Sequence, residues 1–249
     1  MFEKQVVLTT ADGNCDAHAF YPEEDGPFPA VILYMDSIGI REELKDMSRR
    51  LASCGYYVLL PNLYYRSAPA SEIFIDSSKM EEDGPDRKMM WKMIYTLDNF
   101  KVNADTASFV EFLDAEPQVK AGPYGAVGYC MSGRFVLAAA GAQPDKFAAI
   151  ASLYGAGHIT DKPDSADQWI GDIRAELYFG FAGHDPYVPT ETTEKLRGIL
   201  TEKGKKFRME TYPEAHHGFA FPERGAAYHK PSCERHWERL ISLFRRTIG

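Results

Sequence analysis

One cysteine of this chain, Cys130, stands where a short apolar run gives way to an Ala-rich run that is typical of a helix. The stretch AVGYCMSGR (126–134) has Gly128 two residues before the cysteine and Ser132 two residues after it. A nucleophile elbow needs residues without bulk at these positions, because its strand-to-helix turn is tight. Such a turn would favour a thiolate at the helix N-terminus and would aim the backbone N–H of Met131 at an oxyanion. The alternative is a buried structural cysteine at the start of a helix, since cysteine is among the most buried residue types.

An acid and a histidine follow Cys130 in the order that an elbow requires. The predicted strand 176–182 runs into GHDPYVP, which places Asp185 just past its carboxyl end. The predicted strand 206–212 runs into PEAHHGF, which places His216 and His217 likewise. Because the carboxyl ends of parallel strands meet at one edge of a sheet, these side chains are expected to converge on Cys130.

Other chemistry-bearing residues predict no second site. The remaining cysteines form no CxxC pair and are expected to be free thiols that pack in a hairpin, on a helix face and at a helix start (Cys15, Cys54 and Cys233). One segment, GHITDKPDSADQW, holds His158 and three aspartates, but it is typical of a solvated loop and nothing in it fixes a coordination geometry. We therefore expect no metal site.

The elements around these residues alternate between strand and helix. An opening hairpin is predicted at 5–9 and 16–21, and buried strands at 29–35 and 55–64 flank a helix that Gly55 closes. Residues 66–100, named the excursion segment below, are polar and Met-rich, with one short helix expected near 86–97. Helix and strand then alternate to the end of the chain, with the last helix at 232–247. This order is typical of a mostly parallel sheet with helices on both faces.

Composition limits the classes of partner. The 249 residues carry 28 Lys and Arg against 36 Asp and Glu, a net charge of −8, and 45% of them are hydrophobic. These values fit one domain over residues 1–249, and the negative charge argues against nucleic acid as a partner. The amino terminus lacks the apolar stretch of a signal peptide, and no run of about 20 apolar residues follows, so we expect a cytoplasmic protein that does not bind membranes.

Four segments make the sequence similar to the dienelactone hydrolase family of the α/β-hydrolase fold over nearly the whole chain. They are MDSIGIR (35–41), PNLYYR (61–66), GYCMSG (128–133), and the pair GHDPYVP with YPEAHHGFAFP (183–189 and 212–222). The resemblance implies a three-layer αβα domain with a mostly parallel eight-stranded sheet. It also implies a catalytic triad of Cys130, Asp185 and His217, with His216 as a neighbour.

The resemblance assigns further residues to the site. Asp36 occupies the position of a family glutamate near the resting thiol, and the N–H of the next residue, Ser37, would complete the oxyanion hole. Arg87 corresponds to a family arginine in the excursion segment, and Trp91 replaces a nearby family tyrosine, so the resemblance implies that both contact substrate. Phe221, however, stands where dienelactone-cleaving members carry an arginine that holds the substrate carboxylate. This departure predicts an incomplete carboxylate clamp and argues against dienelactone itself as the substrate.

The expected function is hydrolysis of a carboxylic ester or lactone, without a cofactor, through an acyl-thioenzyme. Its partner would be a small-molecule substrate. The alternative is a non-catalytic relative that acts as a ligand receptor or a thiol redox sensor, since an accessible cysteine of low pKa also suits oxidation sensing. A receptor would not require Asp185 and His217. Neither the natural substrate nor the oligomeric state follows from the sequence.

Overall fold

The computed structural model describes all 249 residues, and its elements follow the predicted alternation. The strands are β1 Phe2–Thr10, β2 Gly13–Tyr21, β3 Ala30–Tyr34, β4 Tyr57–Pro61, β5 Tyr124–Tyr129, β6 Phe147–Leu153, β7 Glu176–His184 and β8 Phe207–His216. The helices are α1 Glu42–Ala52, α2 Pro85–Ile94, α3 Asn99–Ala115, α4 Ser132–Ala142, α5 Thr190–Glu202 and α6 Lys230–Thr247. Short 3₁₀ turns lie at Ala70–Glu72, Ala166–Asp172 and Pro222–Ala227.

The eight strands form one sheet in the order β1-β2-β4-β3-β5-β6-β7-β8. The first hairpin is antiparallel, and β2 pairs with β4 in antiparallel orientation. The other six strands, β3 to β8, run parallel to one another. All residues of β3, β4 and β5 are buried, as expected of parallel strands with helices on both faces. The predicted mostly parallel α/β sheet of eight strands is confirmed.

Strand β8 is longer than its sequence pattern predicts. The pattern ends the strand at residue 212, but pairing with β7 continues past a register shift between Ala182 and His184, so that His184 lies opposite His216. His216 is therefore the last residue of β8 and not part of a loop. His217, the next residue, is the first one beyond the strand. No helix of the chain is both long and apolar enough to cross a membrane.

Gly128 is the last but one residue of β5, just before the elbow, where there is no room for a side chain. A Cβ at this position would lie 2.3 Å from the backbone oxygen of Ser132. Since backbone cannot move aside as a flexible side chain can, we expect Gly128→Ala to lower the free energy of unfolding by about 1–3 kcal/mol, measured by urea denaturation. Gly198→Ala is the control, because Gly198 lies inside α5 with no atom near its added Cβ. That change is expected to stabilise the protein by roughly 0.5–1 kcal/mol. Equal stability of the two variants would contradict the crowding at Gly128.

Candidate active site

Cys130 occupies the strained turn between β5 and α4. Its φ of 55° lies in the left-handed region, which is uncommon for residues other than glycine. Hydrogen bonds to the end of β6 hold the turn: the Cys130 N–H donates to the Leu153 carbonyl at 3.1 Å, and the Cys130 carbonyl accepts from the Ala156 N–H at 3.0 Å. Close packing supports it, since a Cβ at Gly133 would lie 2.4 Å from the Cα of Gly155. The elbow predicted from the spacing of small residues is present.

Two backbone N–H groups beside Cys130 make no hydrogen bond within the chain. The Met131 N–H lies at the start of α4, and the Ser37 N–H lies in the turn that follows β3. The Ser132 hydroxyl donates to the Met35 carbonyl and so fastens the elbow to the end of β3. The Tyr64 hydroxyl donates to the Ser37 carbonyl at 3.0 Å, which fixes the turn from its other side. These unpaired donors are those that an oxyanion hole requires.

His217 and Asp185 form a hydrogen-bonded pair. Nδ1 of His217 lies 2.8 Å from Oδ2 of Asp185, and the other carboxylate oxygen accepts the Tyr187 N–H at 2.9 Å. The rings of Tyr154 and Tyr187 contact the imidazole edge-on at centroid distances of 5.1 and 4.8 Å. His216 is exposed and stacks on His184, away from this pair. Sequence analysis identified the pair but missed the two tyrosines, whose positions carry no local signal.

Cys130 and His217 influence each other's protonation. Burial raises the pKa of the Cys130 thiol, but the adjacent His217 outweighs burial and holds this pKa below its usual value. Burial lowers the pKa of His217, but the Cys130 sulfur and Asp185 raise it well above its usual value. Nε2 of His217 is buried and has no hydrogen bond with any other group. These two shifts, of opposite direction, favour transfer of the thiol proton to His217.

Asp36, which follows β3, is fully buried. Its carboxylate pairs with both terminal nitrogens of Arg41, at 2.7 and 3.1 Å, and with Arg224 at 3.2 Å. Burial raises the pKa of Asp36, but the two arginines hold it below its usual value. Arg41 also pairs with Glu223, so one charge network joins the turn after β3 to the segment after His217. Asp36 does not contact the thiol, but its charge raises the pKa of Cys130.

A cavity of about 220 Å³ opens over the thiol. Arg87 and Trp91 both line it, together with Cys130 and His217. The excursion segment also contributes Met80, Met90 and Ile94, and the Ser37 hydroxyl lies 3.8 Å from the Cys130 sulfur and 3.4 Å from that of Met90. The cavity wall is thus largely apolar. A larger groove of about 750 Å³, between β1 and the excursion segment, contains no residue of the triad.

Two arginines that sequence analysis missed reach this cavity, Arg134 and Arg224. Phe221 does not line it; the ring packs against Tyr129 and Tyr154 and is fully buried. Phe221 therefore contributes nothing to the cavity wall, whereas an arginine close to it in sequence does. Arg224, three residues after Phe221 and within the 3₁₀ segment Pro222–Ala227, lines the cavity instead.

The segment with His158 is not the solvated loop that its composition suggests. His158 is buried, and its Nε2 lies 2.9 Å from the Ser152 hydroxyl. Asp164 is buried too, and its carboxylate accepts the N–H of Asn99 at 2.9 Å. The bond of His158 holds the loop after β6 to β6 itself, and the bond of Asp164 holds this loop to α3. No set of three or more His, Cys, Asp or Glu residues is arranged to hold a metal ion.

Comparisons with known proteins find relatives that match nearly the whole chain. The sequence profile of the dienelactone hydrolase family matches residues 15–248. Proteins provisionally named carboxymethylenebutenolidase are similar over 97% of this chain: one from Methylorubrum extorquens is 26% identical with 80% of its own length covered, and one from Synechocystis sp. is 27% identical with 96% covered. A crystal structure provisionally assigned as a dienelactone hydrolase, from Klebsiella pneumoniae, superposes with a TM-score of 0.85 at 25% identity over 98% of both chains.

The strand order, the elbow at Cys130 and the match over nearly the whole sequence lead to one assignment. The chain is an α/β-hydrolase that belongs to the dienelactone hydrolase family.

Proposed function

We propose that this protein hydrolyses a carboxylic ester or lactone, with Cys130 as the nucleophile. The observation that carries the proposal is the convergence of Cys130, His217 and Asp185 at the carboxyl ends of β5, β8 and β7, beside two unpaired backbone N–H groups. A receptor or redox sensor would need the thiol alone. The 2.8 Å bond between His217 and Asp185 favours the hydrolase, because its chemical use is to orient a base.

The reaction begins with attack of the Cys130 thiolate on the substrate carbonyl carbon, which forms a carbon–sulfur bond and moves the carbonyl electron pair onto oxygen. The N–H groups of Met131 and Ser37 stabilise this oxyanion. As the oxyanion collapses, the carbon–oxygen bond to the leaving group breaks, and the His217 imidazolium gives its proton to the departing alkoxide. Neutral His217 then takes a proton from water, which attacks the thioester and releases the acid and the Cys130 thiolate.

Asp36 is proposed to tune the thiol by its charge, without contact. Its negative charge opposes the thiolate, and its two arginines offset most of that effect. Arg87 and Trp91 are proposed to contact the substrate across the cavity from α2. All four cysteines are free, which fits the reducing compartment expected of a cytoplasmic protein.

The proposed nucleophile predicts an order of reactivity among the thiols. Cys130 should react with iodoacetamide before the others at pH 6.5, because the thiolate is the reactive species and His217 lowers the pKa of this thiol. Burial raises the pKa of Cys15 far above its usual value and that of Cys233 to about 11. Cys54 is exposed to a similar degree as Cys130 and is the matched comparison. Peptide mapping by mass spectrometry after limited labelling gives the order. Faster labelling of Cys54 would contradict the assignment of the nucleophile.

The second prediction separates a tuning role of Asp36 from a structural one. In Asp36→Asn the thiolate loses a repelling charge, so the pKa of Cys130 should fall and the acid limb of kcat/KM should move to lower pH. The variant should also lose about 3 kcal/mol of unfolding free energy, since the partly buried Arg41 and Arg224 lose the buried carboxylate that they share.

Glu223→Gln is the control for Asp36, because it also removes a carboxylate from Arg41 but acts further from the thiol. It should leave the pH profile unchanged. If folded Asp36→Asn has the profile of the wild type, Asp36 serves packing alone.

The third prediction tests the base. His217→Asn should lower kcat/KM on an activated ester by about 10²–10⁴-fold, the usual effect of losing a general base. His216→Asn is the matched control, because the exposed neighbouring ring makes no bond to Asp185, and it should stay within a few-fold of wild type. In the wild type, intact-mass spectrometry should detect an acyl adduct on the protein. Cys130→Ala should show neither this adduct nor turnover. Equal losses in the two histidine variants would refute His217 as the base, and turnover by Cys130→Ala would refute the proposed hydrolysis through this thiol.

A further inference from the structure

The side chain of Ser37 has no part in the proposed mechanism, which uses only its backbone N–H. Ser37 is 3% exposed, so its hydroxyl is shielded from bulk solvent. The hydroxyl makes no hydrogen bond to an oxygen or nitrogen atom, and both of its partners are sulfur atoms: Sδ of Met90 at 3.4 Å and Sγ of Cys130 at 3.8 Å. Buried hydroxyls are normally bonded to strong acceptors, so this placement requires a physical reason.

The backbone of the turn after β3 holds the hydroxyl beside these sulfurs. The Ser37 carbonyl accepts from the Tyr64 hydroxyl at 3.0 Å, and the Ile38 N–H donates to Oδ1 of Asp36 at 3.2 Å. The Gly39 N–H donates to the Asp36 carbonyl at 3.2 Å and closes the turn. Because the backbone on both sides of the side chain is fixed, rotation about the Cβ–Oγ bond is what directs the hydroxyl proton to one sulfur or the other.

The two sulfurs differ in strength as acceptors. The thioether of Met90 is a weak acceptor in every state of the protein. The Cys130 sulfur carries a negative charge as a thiolate, and hydrogen bonds to charged acceptors are roughly twice as strong as those between neutral groups. Acylation removes this charge, because the new carbon–sulfur bond uses the electron pair of the sulfur.

We infer that the Ser37 hydroxyl donates to the Cys130 thiolate before the reaction and turns to Met90 once the sulfur is acylated. The inference rests on the proposed hydrolase function and adds a second group, besides His217, that stabilises the nucleophile. Ser37 then serves the site twice: its N–H faces the oxyanion, and its hydroxyl faces the sulfur.

Other ionisable groups near the sulfur are unchanged when this hydroxyl is removed. The charged side chains that lie around Cys130 or line its cavity are His217 with Asp185 behind it, Asp36, Arg87, Arg134 and Arg224. Tyr64 and Tyr154 are neutral, because burial raises the pKa of each well above its usual value. None of these side chains bonds to the Ser37 hydroxyl. A changed titration of Cys130 in Ser37→Ala therefore reports the loss of this donor.

The first measurement is the titration of the thiolate, followed by ultraviolet absorbance as the difference between each protein and the same protein with Cys130→Ala. In Ser37→Ala the midpoint should move to higher pH by about one pH unit, because the thiolate loses a charge-assisted donor. This direction is opposite to that expected for Asp36→Asn. The backbone N–H at position 37 remains in the variant. A midpoint equal to that of the wild type, or below it, would overturn the inference and leave ester hydrolysis in place.

The pH dependence of kcat/KM on an activated ester distinguishes this role from that of a third oxyanion donor. Above the midpoint, Ser37→Ala should keep the wild-type rate or exceed it by up to about threefold, because a thiolate of higher pKa is more nucleophilic. Below the midpoint it should be slower, because less of the thiol is ionised. A fall of about 10²–10³-fold at high pH, the effect of losing an oxyanion donor, would overturn the inference.

Met90→Leu is the matched control, because it removes the competing sulfur and keeps the hydroxyl. Its midpoint should lie at or below that of the wild type, and the double variant should titrate like Ser37→Ala alone. A rise in Met90→Leu similar to that in Ser37→Ala would mean that packing around the sulfur sets the titration, and would overturn the inference. A midpoint that depends on Ser37 in a protein that cleaves no ester would refute the proposed function and retain the hydroxyl as a stabiliser of the thiolate.

Discussion

The left-handed backbone of Cys130 is the constraint on which the rest of the site depends. A non-glycine residue in this conformation stores roughly 1–3 kcal/mol of strain, which persists only when the surrounding structure enforces it. Bonds to β6 enforce it, and the absence of side chains at Gly128 and Gly133 lets the turn close. The turn places Cys130 on the wall of the cavity and leaves the N–H of Met131 without an acceptor. The position of the thiol and the tight packing around it are therefore the same requirement.

Two charged groups at different depths, His217 and Asp36, act on the Cys130 sulfur in opposite directions. His217 lies next to Cys130 and stabilises the thiolate directly, whereas Asp36 lies deeper and opposes it. The pairing of Asp36 with Arg41 and Arg224 reduces that opposition and also joins the turn that contains Ser37 to the segment that follows His217. Two otherwise distant parts of the chain thus hold their relative positions through one buried carboxylate. Arg134 is outside this network and keeps its full charge.

Sequence analysis identified what local pattern controls. Small residues around Cys130 predicted the elbow, apolar runs predicted the buried strands, and chain order placed Asp185 and a histidine at strand ends. It failed where side chains from distant segments meet. Arg224 reaches the cavity only because the chain turns after Phe221, and the burial of Asp36 depends on arginines five and 188 residues away. Neither fact has a periodic or compositional signature. The position of Arg134, one helical turn past Cys130, could however have been recognised from the sequence as a position that lines the cavity.

The side chains of the site come largely from two parts of the chain, the excursion segment and the ends of the sheet strands. Cys130, His217 and Asp185 all follow strand ends, whereas Met80, Arg87, Met90, Trp91 and Ile94 come from one uninterrupted stretch of chain. Much of the cavity wall is consequently encoded on a different part of the gene from these three side chains. Replacement of that single stretch would reshape the cavity above Cys130 while leaving the strand ends beneath it unaltered.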